Sequence, residues 1–131
     1  MELAFRAAVV AWLAADATLA AGLNAIVEEA PLRTALPWLA LTASASTDWS
    51  NKSGRGREIR VALELNYRGY EQLAEAGLIA AIEARMESLP ADQSAAGFQI
   101  ASLNFTKARA EQRGEALRVL VLEYRARVLA A

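Results

Sequence analysis

The stretch Glu58-Ile59-Arg60-Val61-Ala62-Leu63-Glu64-Leu65-Asn66-Tyr67-Arg68 decides the fold. Ile59, Val61, Leu63, Leu65 and Tyr67 take alternate positions, and Glu58, Arg60, Glu64, Asn66 and Arg68 take the others. Successive side chains of a strand point to opposite faces, so this period of two predicts a half-buried β-strand with one apolar face. Gly69 ends it.

Upstream lies Asp48 to Gly56 (DWSNKSGRG), a polar loop with two glycines and Trp49 as its one large hydrophobe. Before it, Trp38 to Thr47 alternates small polar and apolar residues, as a half-exposed strand does. Pro31 and Pro37 bracket a connecting loop, because proline cannot serve an interior ladder. Leu23–Val27 reads as a short strand ahead of the acidic pair Glu28-Glu29. Leu3 to Ala15 reads as a helix: Phe5, Val9 and Trp12 recur at i, i+4 and i+7, with Val10 and Leu13 beside them. Alanine, the best helix former, fills much of the rest. Asp16 suits the cap of a short second turn, Thr18–Leu23, which Gly22 helps to end.

Downstream, Tyr70 to Leu89 reads as a second helix. Ala74, Leu78, Ala81, Ile82 and Leu89 form its inner face, and Glu71, Glu75, Glu83, Arg85 and Glu87 its wet side. Pro90 follows its end. After a loop around Gly97, Phe98–Phe105 reads as a strand whose apolar phase slips from Phe98 and Ile100 to Leu103 and Phe105, the mark of a bulge or an edge. Lys107–Gly114 reads as a polar, hairpin-like loop. Glu115–Val128 is the last strand, with Leu117, Val119 and Val121 interleaved with Leu120 and Leu122. A strand apolar on both faces is central in its sheet or covered by a partner. The order helix, strand, strand, strand, helix, strand, strand predicts an α+β fold in one domain, 1–131. Two helices pack on one face of a mainly antiparallel sheet.

Composition narrows the chemistry. The chain has 131 residues, with no cysteine and no histidine. Disulfides, thiolate zinc sites and cysteine nucleophiles are therefore excluded, as are the commonest general base and metal ligand. A cysteine-free chain suits a reducing cytoplasm. Alanine accounts for 31 residues, so a mean hydropathy of +0.17 reflects small side chains more than a greasy surface. Fourteen basic and fifteen acidic residues leave a net charge of −1, which gives no domain-wide attraction to nucleic acid. Locally the balance alternates: −3 over residues 1–50, +3 over 51–70, −4 over 71–92 and +3 over 93–131. Such blocks suit a protein that meets copies of itself. Leu3–Val27 is apolar, but Arg6 and Asp16 interrupt it before the ~20 residues that a membrane span needs. Ala15-Asp16-Ala17 fits a signal-cleavage pattern, yet Glu2 and the alanine-rich run fit an amphipathic helix better.

No phosphate-binding glycine motif occurs, and Gly54-Arg55-Gly56 is too short for a cradle and reads as a flexible turn. Glu28 and Glu29 are adjacent, so in a strand they face opposite sides. The helix glutamates read as a solvated face rather than a metal site. Arg113, Arg118, Arg125 and Arg127 lie on or beside the last strand with few aromatics interleaved, whereas a nucleic-acid platform stacks aromatics along its groove. No catalytic residue, cofactor or metal ligand set emerges. Trp49 stands out, with Asp48 beside it and Lys52, Arg55 and Arg57 close behind. Tryptophan and arginine are enriched where proteins anchor to partners. The same residue could equally fold back over the sheet end, and the residues leave both readings open.

Several segments together resemble the tail terminators, or tail-completion proteins, of long-tailed phages and of phage-like gene transfer agents. Val10-Ala11-Trp12-Leu13-Ala14-Ala15-Asp16-Ala17-Thr18-Leu19-Ala20 is similar to that family's first helix. Pro37-Trp38-Leu39-Ala40-Leu41 takes the place of its proline-aromatic strand. Asp48-Trp49-Ser50-Asn51-Lys52, followed by Gly56-Arg57-Glu58, resembles its most characteristic loop and the opening of its long strand. One departure is Asn66-Tyr67-Arg68, where the family often has a tryptophan-serine pair. The resemblance implies a structural subunit without enzymatic activity that forms a hexameric ring on the head-proximal end of the tail tube. Such a ring ends tube growth and presents a surface to the head-neck connector proteins. It also implies partners in the tube protein and in copies of the chain itself, no membrane, and a place in the tail of a virion or phage-like particle assembled in the bacterial host cytoplasm. DNA would pass through the ring without specific binding. The candidate interface residues are Asp48, Trp49, Lys52, Arg55 and Arg57 in the first loop, and Lys107, Arg109 and Arg113 in the second. The residues alone also allow a small ligand-binding or carboxylate/arginine enzyme domain, or a dimeric adaptor.

Overall fold

The alternating stretch is the third strand of a six-stranded sheet. The computed structural model describes residues 1–31, 33–69 and 75–131. Strand β3 (Gly56–Arg68) pairs antiparallel with β2 (Trp38–Asp48) on one side and with β6 (Leu117–Ala130) on the other. The sheet order is β1-β2-β3-β6-β5-β4, in which β1 (Ile26–Glu28) runs parallel to β2 and the other pairings are antiparallel. Strand β5 spans Phe98–Gly114 and β4 is the two-residue Asp92–Gln93. Ile59, Val61, Leu63 and Leu65 are buried, as the period of two predicts.

Three helices cover that apolar face. Helix α1 (Glu2–Ala14) buries Phe5, Val9 and Leu13, the i, i+4, i+8 row that helical geometry stacks on one side. Helix α2 (Ala17–Gly22) starts at Asp16, whose side chain accepts the Leu19 N–H at 3.0 Å and so satisfies one free donor of the first turn. Helix α3 (Ala76–Glu87) buries Ile82 and Met86. These side chains join Leu39, Leu41, Ile59, Leu63, Leu65, Leu122 and Val128 in one core. Phe5 meets Phe98 edge-on, with ring centroids 6.3 Å apart. A reciprocal clasp joins α1 to α3: the Trp12 indole donates to the Arg85 carbonyl at 2.9 Å, and Arg85 Nε donates to the Trp12 carbonyl at 2.8 Å. The Arg85 guanidinium lies 3.5 Å from the Trp12 ring centre.

The N-terminal turn of α1 is tied to β2 by charge-assisted hydrogen bonds. Ser44 and Ser46 donate their hydroxyls to the Glu2 carboxylate at 2.8 and 2.5 Å, and these bonds hold its pKa below the ordinary value. Arg6 donates to Ser44 Oγ at 2.8 Å and pairs with Glu28 at 3.1 Å.

The structure corrects the predicted architecture in several places. The capped turn after Asp16 is a full short helix, so three helices rather than two lie on the sheet. The first strand begins at Ile26 rather than Leu23, because Asn24 instead bridges the loop by donating to the carbonyls of Ala35 and Leu36. The sheet gains β4 and one parallel pairing. Lys107–Gly114 is not a loop. It continues β5, paired with β6 from Lys107↔Glu123 to Gly114↔Leu117, and the turn falls at Glu115 and Ala116. Apolar β6 supplies a complete ladder, and bulges after Ile100, Phe105 and Gln112 absorb the irregularities. The phase slip at Ile100 is thus a bulge, on a strand whose outer edge, among the described residues, has no strand partner beyond Ile100, whose N–H donates to the Ala91 carbonyl at 2.8 Å. The doubly apolar last strand lies inside the sheet, between β3 and β5. Of the predicted second helix, Tyr70, Glu71 and Ala74 lie outside the described residues. Leu78, Ala81 and Ile82 fall in α3, and Leu89 joins the core just after it.

Candidate interaction site

The Asp48–Gly56 connection is a hairpin end that its own side chains hold in shape. Asp48 accepts from the Ser50 N–H at 3.2 Å and the Ser50 hydroxyl at 2.6 Å, which lowers the Asp48 pKa. Asn51 Oδ1 accepts from the N–H groups of Ser53 and Gly54 at 2.8 and 3.0 Å, an Asx turn that places Lys52 at the tip. The Trp49 N–H donates to the Gly56 carbonyl at 2.9 Å. A Cβ on Gly56 would come within 2.6 Å of the Trp49 carbonyl and 2.9 Å of the Val128 carbonyl, so three backbones converge where a side chain cannot fit. The predicted flexible turn is therefore a braced one. Trp49 is half-buried, with its ring centre 5.5 Å from the Arg127 guanidinium. Arg57 donates to Ser46 Oγ at 2.9 Å, whereas Lys52 and Arg55 are exposed at the tip.

Lys107, Arg109 and Arg113 sit on β5, on the sheet face away from the helices. They belong to a ladder of ion pairs. Lys107 pairs with Glu123 at 3.5 Å, Arg109 with Glu111 at 3.4 Å, and Arg113 with both Glu111 at 2.7 Å and Glu64 at 2.6 Å. Arg113 and Glu64 flank β6, so their bridge spans it on the face that carries Val119 and Val121, both buried. Further along, Arg127 and Arg60 share Glu58 at 3.1 and 3.2 Å. Hydrogen bonding from Arg113 and from Arg127 holds Glu111 and Glu58, respectively, below the ordinary glutamate pKa.

The two candidate segments are not brought together. Gly56 pairs with Leu129 at one end of β6, and Arg68 and Gly114 pair with Leu117 at the other. Lys107 pairs with Glu123 and Arg109 with Val121, so the second segment runs from the middle of β6 to its far end, about 20 to 40 Å from the hairpin. The subunit therefore presents a braced, cationic hairpin end and, far from it, a charge-paired strand.

A groove that sequence reasoning missed lies between α3 and β5, about 350 Å³ in volume. Glu83, Met86 and Glu87 form one wall, Leu103 and Phe105 the other, and Tyr124 the floor. Phe105 is 51% exposed, while Tyr124, which meets it edge-on at 5.7 Å, is 3% exposed. Burial, reinforced by Glu83 and Glu87, pushes the Tyr124 phenol up to about 12. The signal was present as two glutamates four apart on one helix, read only as a wet face.

Among the described residues, no group of three or more acidic side chains could hold a metal ion, and no helix is long and apolar enough to cross a membrane. Arg118 turns to the Gly69 carbonyl at 3.0 Å, away from the row of Arg113, Arg125 and Arg127. The arrangement offers surfaces for contact. Comparison with known proteins gives the same direction. No curated protein matches the chain. A chain of the structure described as "Virion of native gene transfer agent (GTA) particle" is 25% identical and superimposes with a TM-score of 0.77, covering 95% of this chain and 94% of that one. The family model for tail completion protein gp17 matches residues 7–129, nearly the whole length. With the braced Asp48–Gly56 hairpin, the curled α+β sheet and that match in hand, the chain belongs to the tail completion protein gp17 family and is a structural protein of the tail of a phage or phage-like particle.

Proposed function

We propose that the chain closes into a ring, six copies in number, that caps the head-proximal end of the tail tube, ends tube growth and joins the tail to the neck proteins of the head. The observation that carries this reading is that the subunit's ends differ: a braced hairpin with exposed Lys52 and Arg55 at the Leu129 end of β6, and a charge-paired strand from Glu123 to Leu117. A subunit with unlike ends can offer tube-like contacts on one side and different contacts on the other, and so stop polymerisation by shape alone. Repeated heterologous contacts close into a ring when the rotation allows. Asp48, Trp49, Lys52, Arg55 and Arg57 supply contacts at one end, and Lys107, Arg109 and Arg113 line the charge-paired surface. Because those last three cations are matched by Glu64, Glu111 and Glu123, a channel they lined would let DNA pass without gripping it. No bond-making chemistry is required of any residue.

Native mass by light scattering and negative-stain microscopy test the reading, with and without tail tubes. Annular particles of about six subunits, or annuli at one end only of tubes, support it. A stable dimer that ignores tubes, or isolated subunits even beside tubes, overturns it.

A further inference from the structure

We infer that the groove between α3 and β5 receives the Lys52–Arg55 hairpin tip of a second copy of the chain. This contact, repeated head to tail, would join neighbouring subunits. The inference rests on the ring reading above and specifies its interface.

Arg6, Arg60, Lys107, Arg109, Arg113 and Arg127 all pair with carboxylates of the same chain. Lys52 and Arg55 make no side-chain hydrogen bond or ion pair among the described residues, and neither do Glu83 and Glu87. Two cations three residues apart on one tip are left over, and so are two carboxylates four residues apart on one helix face. Arg33, Arg68 and Arg125, and Glu29, Glu75 and Glu115, also make no side-chain hydrogen bond or ion pair among the described residues, but they are scattered over different elements.

The groove has the chemistry of a lysine or arginine acceptor. Leu103 and the exposed ring of Phe105 offer apolar surface for an aliphatic stem, with buried Met86 beneath them, and Glu83 and Glu87 meet the charged head. The Tyr124 hydroxyl makes no hydrogen bond among the described residues and lies on the floor. The chain's own tip does not fill the groove. The hairpin leaves the sheet at Gly56, whereas Tyr124 pairs with Val61, five residues or roughly 16 Å along β3. A tip on one copy and a groove on the next make a heterologous contact.

Charge reversal tests it in the full-length chain. E83K/E87K and K52E/R55E should each raise the concentration for half-assembly at least about tenfold, while thermal unfolding of the subunit stays near wild type, because all four residues are at the surface. The combined fourfold variant should return assembly to within about threefold of wild type. Phe105→Ala should weaken assembly as well. Rings that form normally in either charge-reversed variant, or a fourfold variant as defective as its parents, would overturn the interface and leave the ring standing. Absence of rings from the wild type, alone and on tubes, would remove the ring reading and this interface together.

Discussion

The two faces of the β3–β6 pair have the same backbone and opposite chemistry. Toward the helices stand Ile59, Val61, Leu63, Leu65, Leu122 and Ala126, all buried; on the other side stand Glu58, Arg60, Glu64, Glu123, Arg125 and Arg127, with Val119 and Val121 buried beneath the Glu64–Arg113 bridge. Burying one large aliphatic side chain contributes about 1.5–3 kcal/mol. A solvent-exposed ion pair contributes about 0–1 kcal/mol. The helix-covered face therefore carries the stability. The charged face, whose contacts cost little to rearrange, is free to serve assembly.

The largest expected effect strikes the apolar face. Leu63→Asp would bury an unpaired carboxylate at a 1%-exposed position, a loss of about 5 kcal/mol or more that rivals the stability of a whole domain. Circular dichroism should show an unfolded chain, and native-like, soluble protein would mean that the two faces are misassigned.

Alkaline titration probes the same face through Tyr124. Its phenol ionises at about 12 in the fold, against 10.0 ordinarily, because burial and two nearby glutamates disfavour the charged form. The sign follows: the contribution is complete below pH 10 and is lost as pH rises towards 12. At ~1.4 kcal/mol per unit, the loss is about 3 kcal/mol. Denaturant melts across that range should fall for the wild type, and Tyr124→Phe should remove most of the slope.

Gly56→Ala attacks the hairpin end, where the added methyl meets two carbonyl oxygens. A destabilisation of about 1–3 kcal/mol is expected from chemical denaturation. Trp49→Ala should cost the subunit only about 1 kcal/mol, from the lost stacking on Arg127, while weakening assembly several-fold. A collapse of thermal stability with ring formation intact would make Trp49 a cover for the sheet end and nothing more.

The smallest effect belongs to the charged face. Glu58 and Glu111 ionise below the ordinary 4.5 because Arg127 and Arg113 bond to them. Their help is present above that value and fades as pH falls below it. Arg113→Ala and Arg127→Ala should flatten the acid limb slightly, as melts between pH 5 and 3 would reveal.

Legibility followed side-chain chemistry. The period-two stretch at Glu58–Arg68, the α1 stripe of Phe5, Val9 and Leu13, and the Asp16 cap were readable, because each is a local pattern set by backbone geometry. The second half of β5 was not. In Lys107-Ala108-Arg109-Ala110-Glu111 the alternation is there, but alanine buries too little to announce an inward face, so the polar residues alone read as a loop. The ion-pair ladder was invisible for a related reason, since Arg113 and Glu64 lie 49 residues apart.

What the residues determined unaided was the menu: which segments extend, which coil, which side of each turns inward, and the lack of histidine and cysteine chemistry. Those are properties of neighbours along the chain. Tertiary structure decided which cations find carboxylates within the chain and which are left over, that β6 is interior, and that the two basic segments flank different stretches of that one strand. Those depend on register between distant strands, which no local periodicity encodes.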